Sequence, residues 1–166
     1  GRTLSYPPVF DDFAHVIGNR GIRYLFHPRI FLESEFSRSR PLPYLTFAFS
    51  YQLAGLSLSA LRAWSLALHF LNAVMVGALF YRWFADDRKI SWGVLAAAGL
   101  FLLHPLAADS VVYLSARGSL LVLFFILLAL WIHSAELQSW LSYLGFWGCA
   151  LGAFLSRESA AALLPL

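Results

Sequence analysis

Charge is what this chain most lacks. Only 13% of its 166 residues are charged, whereas 60% are hydrophobic, and a soluble domain typically carries about 25% charged residues. A globule this apolar would expose large adhesive patches to water. The mean hydropathy of +0.67 therefore favours a lipid bilayer as the surrounding solvent. Aromatic residues, at 17% of the chain, are typical of helices whose ends lie at the lipid–water boundary.

Cysteine and the common cofactor motifs are also scarce. The one cysteine, Cys149, lies inside an apolar run, so no intramolecular disulfide can form and the redox compartment stays open. No pattern matches a zinc site, a P-loop or a dinucleotide-binding turn. The pI is near 9.3, but the basic residues are scattered between apolar runs. We therefore expect no nucleic-acid partner.

The distribution of apolar runs predicts an all-α membrane protein built as a multi-span helical bundle. Residues 1–43 are polar and proline-rich, and they predict a first loop with short helices outside the hydrocarbon. Residues 44–61 predict a juxtamembrane or re-entrant helix, with a full span as the competing interpretation. Residues 62–166 predict about four spans. Their apolar runs cover 63–84, 92–104, 120–133 and 140–156. Because the chain starts at Gly1 and stops inside an apolar run, we expect a fragment of a longer protein.

Four spans would place the polar segments on two sides, and every candidate functional group falls on one of them. The first candidate is the adjacent pair Asp11 and Asp12, in the stretch FDDFAHVIGN. Neighbouring side chains point in different directions on a regular backbone. One carboxylate could therefore act as a base or metal ligand while the other caps a helix. From the residues alone, capping is the favoured interpretation.

Basic residues form the second candidate group. Arg40, in SRSRPLPYLT, could hold a lipid phosphate at the membrane surface or serve as an ordinary interface anchor. Arg157 and Glu158, in LSRES, could face the same side or form a local ion pair. The positive-inside rule, applied to these arginines, predicts that their side faces the cytoplasm. Arginines that bind an anionic ligand could equally be kept outside.

A third group lies between two apolar runs, in HPLAADSVVYLSARGS. It contains His104, Asp109, Ser115, Arg117 and Ser119. Polar groups this close to hydrocarbon are costly unless they are paired or face an aqueous cavity. A helix-end loop with a satisfied Asp109–Arg117 pair is the alternative. Within the run 63–84, His69 and Asn72 share one helix face, and we expect them to form interhelical hydrogen bonds.

Taken in order, these stretches resemble a known family. The N-terminal half of the transmembrane and tetratricopeptide-repeat-containing O-mannosyltransferases and their bacterial relatives is similar to the ordered stretches FDD, RPLPYLTFAFSYQLAGL, LHFLNA, HPLAADSVVYLSARGSLL and LSRESAAALLPL. These are membrane glycosyltransferases of the GT-C class. The resemblance runs from about residue 10 to the end, and it implies a partial GT-C-like transmembrane core.

The resemblance implies a polyprenyl-phosphate-linked sugar as donor and a hydroxyl on a protein or glycan as acceptor. The catalytic carboxylate would come from Asp11 or Asp12, and Arg40, Arg117 and Arg157 would bind the donor phosphate. His104, Asp109 and Glu158 would support the site. The resemblance does not decide whether a divalent metal ion takes part. The active face would be extracytoplasmic, in a bacterial inner membrane or the endoplasmic reticulum.

Two departures from the family pattern concern charge. Asp109 stands where relatives have Glu, which keeps the charge, whereas Ser119 stands where they have Asp, which does not. The loss of that acid motivates an alternative: a non-catalytic homologue that serves as a structural subunit of a larger membrane complex. Other membrane subunits would then be its partners, together with the bilayer.

Overall fold

The computed structural model describes residues 7–8, 11–25, 27–32, 35–84, 90–134 and 139–163. Within these ranges the chain is all-helical and contains no strand, which confirms the predicted all-α class. The α-helices are α1 (Arg29–Leu32), α2 (Glu35–Ser39), α3 (Pro41–Ala54), α4 (Leu58–Phe84), α5 (Ile90–Leu103), α6 (Ala107–Val112), α7 (Arg117–Ser134) and α8 (Trp140–Ser156). Short π or 3₁₀ turns cover Phe13–Ile17, Arg20–Arg23, Leu114–Ala116 and Glu158–Leu163.

The boundary between α3 and α4 differs from the predicted one. Pro41 begins α3, where the missing N–H of proline costs nothing. The helix then stops at Gly55, whose φ of 62° lies in the left-handed region that glycine adopts without strain. Residues 58–61 therefore belong to α4 and not to the preceding helix. The helix predicted for 140–156 is present with those bounds as α8.

Two helical stretches, Leu58–Phe84 and Leu114–Ser134, are long and apolar enough to cross a membrane by length and composition. The apolar helices Trp92–Leu103 and Trp140–Ser156 are shorter. Helix α4 packs against both α5 and α7, and α7 packs against α8. The helices thus follow the spatial order α5, α4, α7, α8, with α4–α5 and α7–α8 as consecutive pairs.

Polar side chains on one face of α4 join it to its neighbours. Asn72 Nδ2 donates to Leu120 O of α7 at 3.0 Å, and His69 Nε2 donates to Leu102 O of α5 at 3.2 Å. These are the interhelical hydrogen bonds that the sequence predicts. Near the other end of α4, Arg82 Nε donates to Ser134 O at 2.8 Å. These hydrogen bonds from side chain to backbone therefore fix the position of α4 along the axes of α5 and α7.

A second layer covers the end of the bundle where α5 and α8 finish and α7 begins. Helix α3 contacts α4, α7 and α8 on one side and the segments before it on the other. The core between these parts is apolar, and its buried members are Val16, Ile22, Ile30, Tyr44, Phe47, Ala48, Leu61 and Leu114. Because these residues come from widely separated parts of the chain, the first segments and α3 pack as one body on the bundle end.

A close approach between the helices of this layer is made at Gly118. A Cβ atom placed there would lie 3.0 Å from the backbone oxygen of Ser156 and 3.4 Å from Pro43 Cγ. The start of α7, the end of α8 and the start of α3 therefore meet around a position that has no room for a side chain. The last turn of α8 brings Arg157 to this junction.

We predict that Gly118→Ala destabilises the protein because the backbone of α8 must move away. Overpacking against a backbone atom typically costs about 1–3 kcal/mol, so the thermal unfolding midpoint in detergent should fall by several degrees. Gly148→Ala is the matched control, since a Cβ there has nothing within 4 Å, and alanine also favours the helix. Equal effects of the two changes would contradict the close packing at Gly118.

Candidate functional site

A polar cavity of about 380 Å³ lies at the junction of α3, α6, α7 and the end of α8. Four charged side chains line it, two acidic and two basic: Asp11, Asp109, Arg40 and Arg157. They come from the first described segment, the short helix α6, the residue before α3 and the residue after α8. Folding therefore gathers into one concave site groups that lie up to about 150 positions apart in the chain.

The adjacent acids Asp11 and Asp12 have separate surroundings. Asp11 is exposed and lines the cavity. Asp12 is fully buried, and its Oδ1 accepts a hydrogen bond of 3.1 Å from the Ser115 N–H. Although Asp12 precedes the helical turn Phe13–Ile17, its side chain makes no capping bond, so the predicted capping role is wrong for this residue. Its carboxylate instead ties the first segment to the loop before α7.

The second oxygen of the Asp12 carboxylate, Oδ2, is buried and has no hydrogen-bond partner within the described part of the chain. A buried carboxylate oxygen without a donor is costly. Within the described part of the chain, the hydrogen bond from Ser115 is the one that holds this carboxylate.

Arg40 and Glu158 form an ion pair at the rim of the cavity. Arg40 Nε lies 3.1 and 3.0 Å from the two carboxylate oxygens of Glu158, and Nη2 lies 2.9 Å from Oε2. The contact joins the residue before α3 to the turn after α8. Hydrogen bonding from Arg40, followed by backbone hydrogen bonding, lowers the pKa of the Glu158 carboxyl from its ordinary value of 4.5. The local Arg157–Glu158 pair considered from the sequence is therefore replaced by a long-range one.

Arg157 faces the cavity and donates from Nη1 to Ser119 Oγ. Ser119 also lines the cavity, from the first turn of α7. A neutral hydroxyl accepts this bond, so it neutralises none of the arginine's positive charge. Ser119 therefore holds this cation through a hydroxyl and leaves its positive charge available to the cavity.

Arg117 does not reach this cavity. Its side chain is 2% exposed and points between α3 and α4, where it lies 4.0 Å from the centre of the Phe47 ring. The guanidinium donates from Nε to Ser65 Oγ at 3.2 Å and from Nη1 to Ser50 Oγ at 3.2 Å. Its Nη2 donates to Leu61 O. These contacts are structural, and the predicted Asp109–Arg117 pair is absent among the described residues.

His104 also lies away from the cavity. It is exposed, and its Nδ1 accepts a hydrogen bond of 3.3 Å from the Leu106 N–H. The side chain therefore stabilises the turn between α5 and α6. Asp109, in contrast, is exposed on α6 and lines the cavity wall. Of the predicted donor-binding and supporting residues, Arg40, Arg157 and Asp109 line the cavity and Glu158 contacts it through Arg40.

His15 and Tyr44 are among the cavity residues that were not predicted from the sequence. Tyr44 Oη and His15 Nδ1 are hydrogen-bonded at 3.3 Å, and both side chains line the cavity. His15 lies in the π-turn Phe13–Ile17, a geometry that is frequent at functional sites. The position of His15 four residues after Asp11 was the available indication, because a helical turn places such residues on one side.

The described residues contain no group of three or more His, Cys, Asp and Glu side chains placed to hold a metal ion. The cavity presents acidic and basic groups together, as a site for a charged ligand with hydroxyl groups would. Comparison of the chain with protein-family models, with curated proteins and with solved structures finds no match. Its function must therefore be inferred from the site itself.

We predict that Asp12→Ala destabilises the protein more than Asp11→Ala does. Removing Asp12 leaves the Ser115 N–H without its acceptor, and a hydrogen bond to a charged group contributes about 1.5–3 kcal/mol. Asp11 is exposed, so its removal should change stability by less than about 0.5 kcal/mol. Thermal unfolding of the two variants in the same detergent measures the difference. Equal midpoints would show that the Asp12–Ser115 contact does not hold the loop.

The Arg40–Glu158 pair predicts a measurable pH dependence. Since the folded-state pKa of Glu158 is lowered, the stabilisation is present above pH 4.5 and is lost as the pH falls through the lowered folded-state value. NMR titration of a labelled Glu158 carboxyl should give a midpoint below 4.5. In Arg40→Gln the midpoint should return towards 4.5. An unchanged midpoint in that variant would contradict the ion pair.

Proposed function

We propose that the cavity binds a polyprenyl-phosphate-linked sugar and transfers the sugar to an acceptor hydroxyl, as an O-mannosyltransferase-like member of the GT-C class would. One observation carries the proposal. Asp11 and Asp109 line the same cavity as Arg40 and Arg157, although these residues are far apart in the sequence. The cavity therefore offers both an acid group for the acceptor and cations for a phosphate.

The geometry divides the chemistry among these groups. A hydroxyl is a poor nucleophile until a base removes its proton, and Asp11 is the exposed carboxylate of the acidic pair, so we assign it that role. The bond between the anomeric carbon of the sugar and the phosphate oxygen breaks as the acceptor oxygen bonds to that carbon. The polyprenyl phosphate leaves with the electrons of the broken bond. Arg40 and Arg157 stabilise that negative charge. Asp12 positions the Ser115 loop.

The surroundings of the cavity suit a lipid-borne donor. Large apolar side chains are exposed on the outer helices, among them Trp92 (77%) and Leu100 (73%) on α5 and Trp140 (70%) on α8. Such surfaces are stable against acyl chains and not against water. We propose that α4, α5, α7 and α8 all cross the bilayer. The cavity then lies at one membrane surface, which we infer to be the extracytoplasmic one because its arginines serve an anionic donor.

A non-catalytic homologue is the second candidate. The observation that favours it concerns Arg117, which was expected to bind the donor phosphate. All four of its described hydrogen bonds are made to other residues inside the protein, so this arginine stabilises the fold and does not face the cavity. Such a protein would retain the folded cavity and associate with other membrane subunits. The two candidates differ in whether bound donor is consumed.

We predict that Asp11→Asn in the full-length protein lowers sugar transfer about 10²–10⁴-fold, the usual contribution of a general base. Donor binding should persist, because the cations are unchanged. The assay follows radiolabelled mannose from polyprenyl-phosphate mannose to a serine- and threonine-containing peptide. Undiminished transfer by Asp11→Asn would exclude the assigned role. Donor binding by the wild-type protein without transfer would favour the non-catalytic candidate.

Arg157→Gln tests the phosphate site separately. Loss of one charge-assisted hydrogen bond should weaken donor binding roughly 10- to 100-fold. Arg82→Gln is the matched control, because Arg82 bonds Ser134 O at the end of α7 remote from the cavity and should leave binding unchanged. Equal weakening by the two changes would contradict a phosphate site at Arg157.

A further inference from the structure

The ion pair at the rim of the cavity places a carboxylate in competition with any anionic ligand. Arg40 lines the cavity, and three of its nitrogen–oxygen contacts, at 2.9–3.1 Å, go to Glu158. Glu158 itself does not line the cavity. It occupies the guanidinium face that a lipid phosphate would need, since guanidinium groups bind carboxylate and phosphate with the same paired geometry.

The two partners are free enough to separate. The side chain of Arg40 is 34% exposed and that of Glu158 is 61% exposed. Exposed ion pairs of this kind typically contribute 0–1 kcal/mol, so little free energy opposes their exchange for another anion. Glu158 lies in the turn after α8, so its side chain can exchange the Arg40 contact for solvent by rotating, without moving a helix.

The second arginine of the cavity, Arg157, makes no ion pair with a carboxylate of the described residues. It donates to the neutral Ser119 hydroxyl, and the Arg40–Glu158 contact is the only ion pair among the described residues. Arg40 is thus paired directly with a carboxylate, whereas Glu158 acts on Arg157 only through the weaker attraction between their charges. The sugar-bearing donor is a phosphodiester with one negative charge, which Arg157 alone can satisfy, whereas the polyprenyl phosphate released by transfer is a monoester with enough charge and oxygen atoms to engage both arginines.

We propose that Glu158 is a displaceable counter-ion that sets the specificity of the cavity for phosphate: it neutralises Arg40 while the site is empty and releases it to the phosphate of the ligand. This inference rests on the proposed function for the kind of ligand. The ligand that displaces Glu158 is a phosphate monoester on a long apolar chain, which is the polyprenyl phosphate that the proposed transfer releases. Glu158 acts as a positioning and selecting group and touches no reacting atom.

The test measures binding and not transfer, using the full-length protein in nanodiscs. Dodecyl phosphate is the probe, and dodecanol is the control that has the apolar chain without the charge. Inorganic phosphate is the control that has the charge without the chain. Glu158→Gln removes the competing charge and should tighten dodecyl phosphate binding about threefold to fivefold, as expected for an exposed ion pair. Dodecyl phosphate should bind more tightly than inorganic phosphate. Equal affinities for the two would overturn the assignment to a lipid phosphate.

A double-mutant cycle separates competition from general repulsion. In an Arg40→Gln background there is no guanidinium to release, so Glu158→Gln should no longer change the affinity. Persistence of the tightening would show a long-range charge effect and overturn the proposal. Glu136→Gln, two positions after the end of α7 in the sequence, removes one carboxylate as a matched control and should leave binding unchanged.

Two further results distinguish this proposal from the function on which it rests. If Glu158→Gln weakens binding, Glu158 serves to orient Arg40 and the counter-ion proposal fails, while the phosphate site stands. If the wild-type protein and Glu158→Gln both bind dodecyl phosphate no better than dodecanol, the phosphate site and the proposed function fail together. Glu158→Asp keeps the charge on a shorter side chain and should give an intermediate affinity.

Discussion

The guanidinium of Arg117 joins the three helices on which the cavity depends. It lies in the first turn of α7, donates to Ser50 on α3 and to Ser65 and Leu61 on α4, and rests against the ring of Phe47. A buried cation without its hydrogen-bond partners is strongly destabilising. These contacts therefore hold α3 against α4 at the point where α7 starts. The next residue carries no side chain, which lets the end of α8 reach the same place.

Neighbouring residues take opposite roles around this junction. Asp11 faces the cavity while Asp12 is buried against the Ser115 loop. Arg157 faces the cavity while Glu158 turns outward to Arg40. In each pair one side chain is available to a ligand and the other connects distant parts of the chain. Two consecutive residues can therefore divide ligand binding and tertiary contact between them, because adjacent side chains leave the backbone in different directions.

Much of the helical framework could be predicted from the sequence. Long apolar runs have no stable alternative to helix in an apolar environment, and the bounds of α8 agree with the predicted run. The break at Gly55 was harder to place, since a glycine within an apolar stretch is compatible with a continuous helix or a turn. Its positive φ decides between them. The capping role expected for Asp11 or Asp12 is not performed by Asp12, because its carboxylate accepts a hydrogen bond from the distant Ser115 N–H instead.

The sequence by itself determined the helical class, the apolar surface and the set of charged residues available to a site, because these depend on composition and on local spacing. The tertiary structure decided which of those residues share a cavity. It placed Arg40 and Arg157 at the site, withdrew Arg117 into the helix junction and added His15 and Tyr44. The local sequence does not indicate which distant helix a side chain will face. Residues of one short motif could therefore be assigned to the cavity or to the core only from the packed arrangement of the helices.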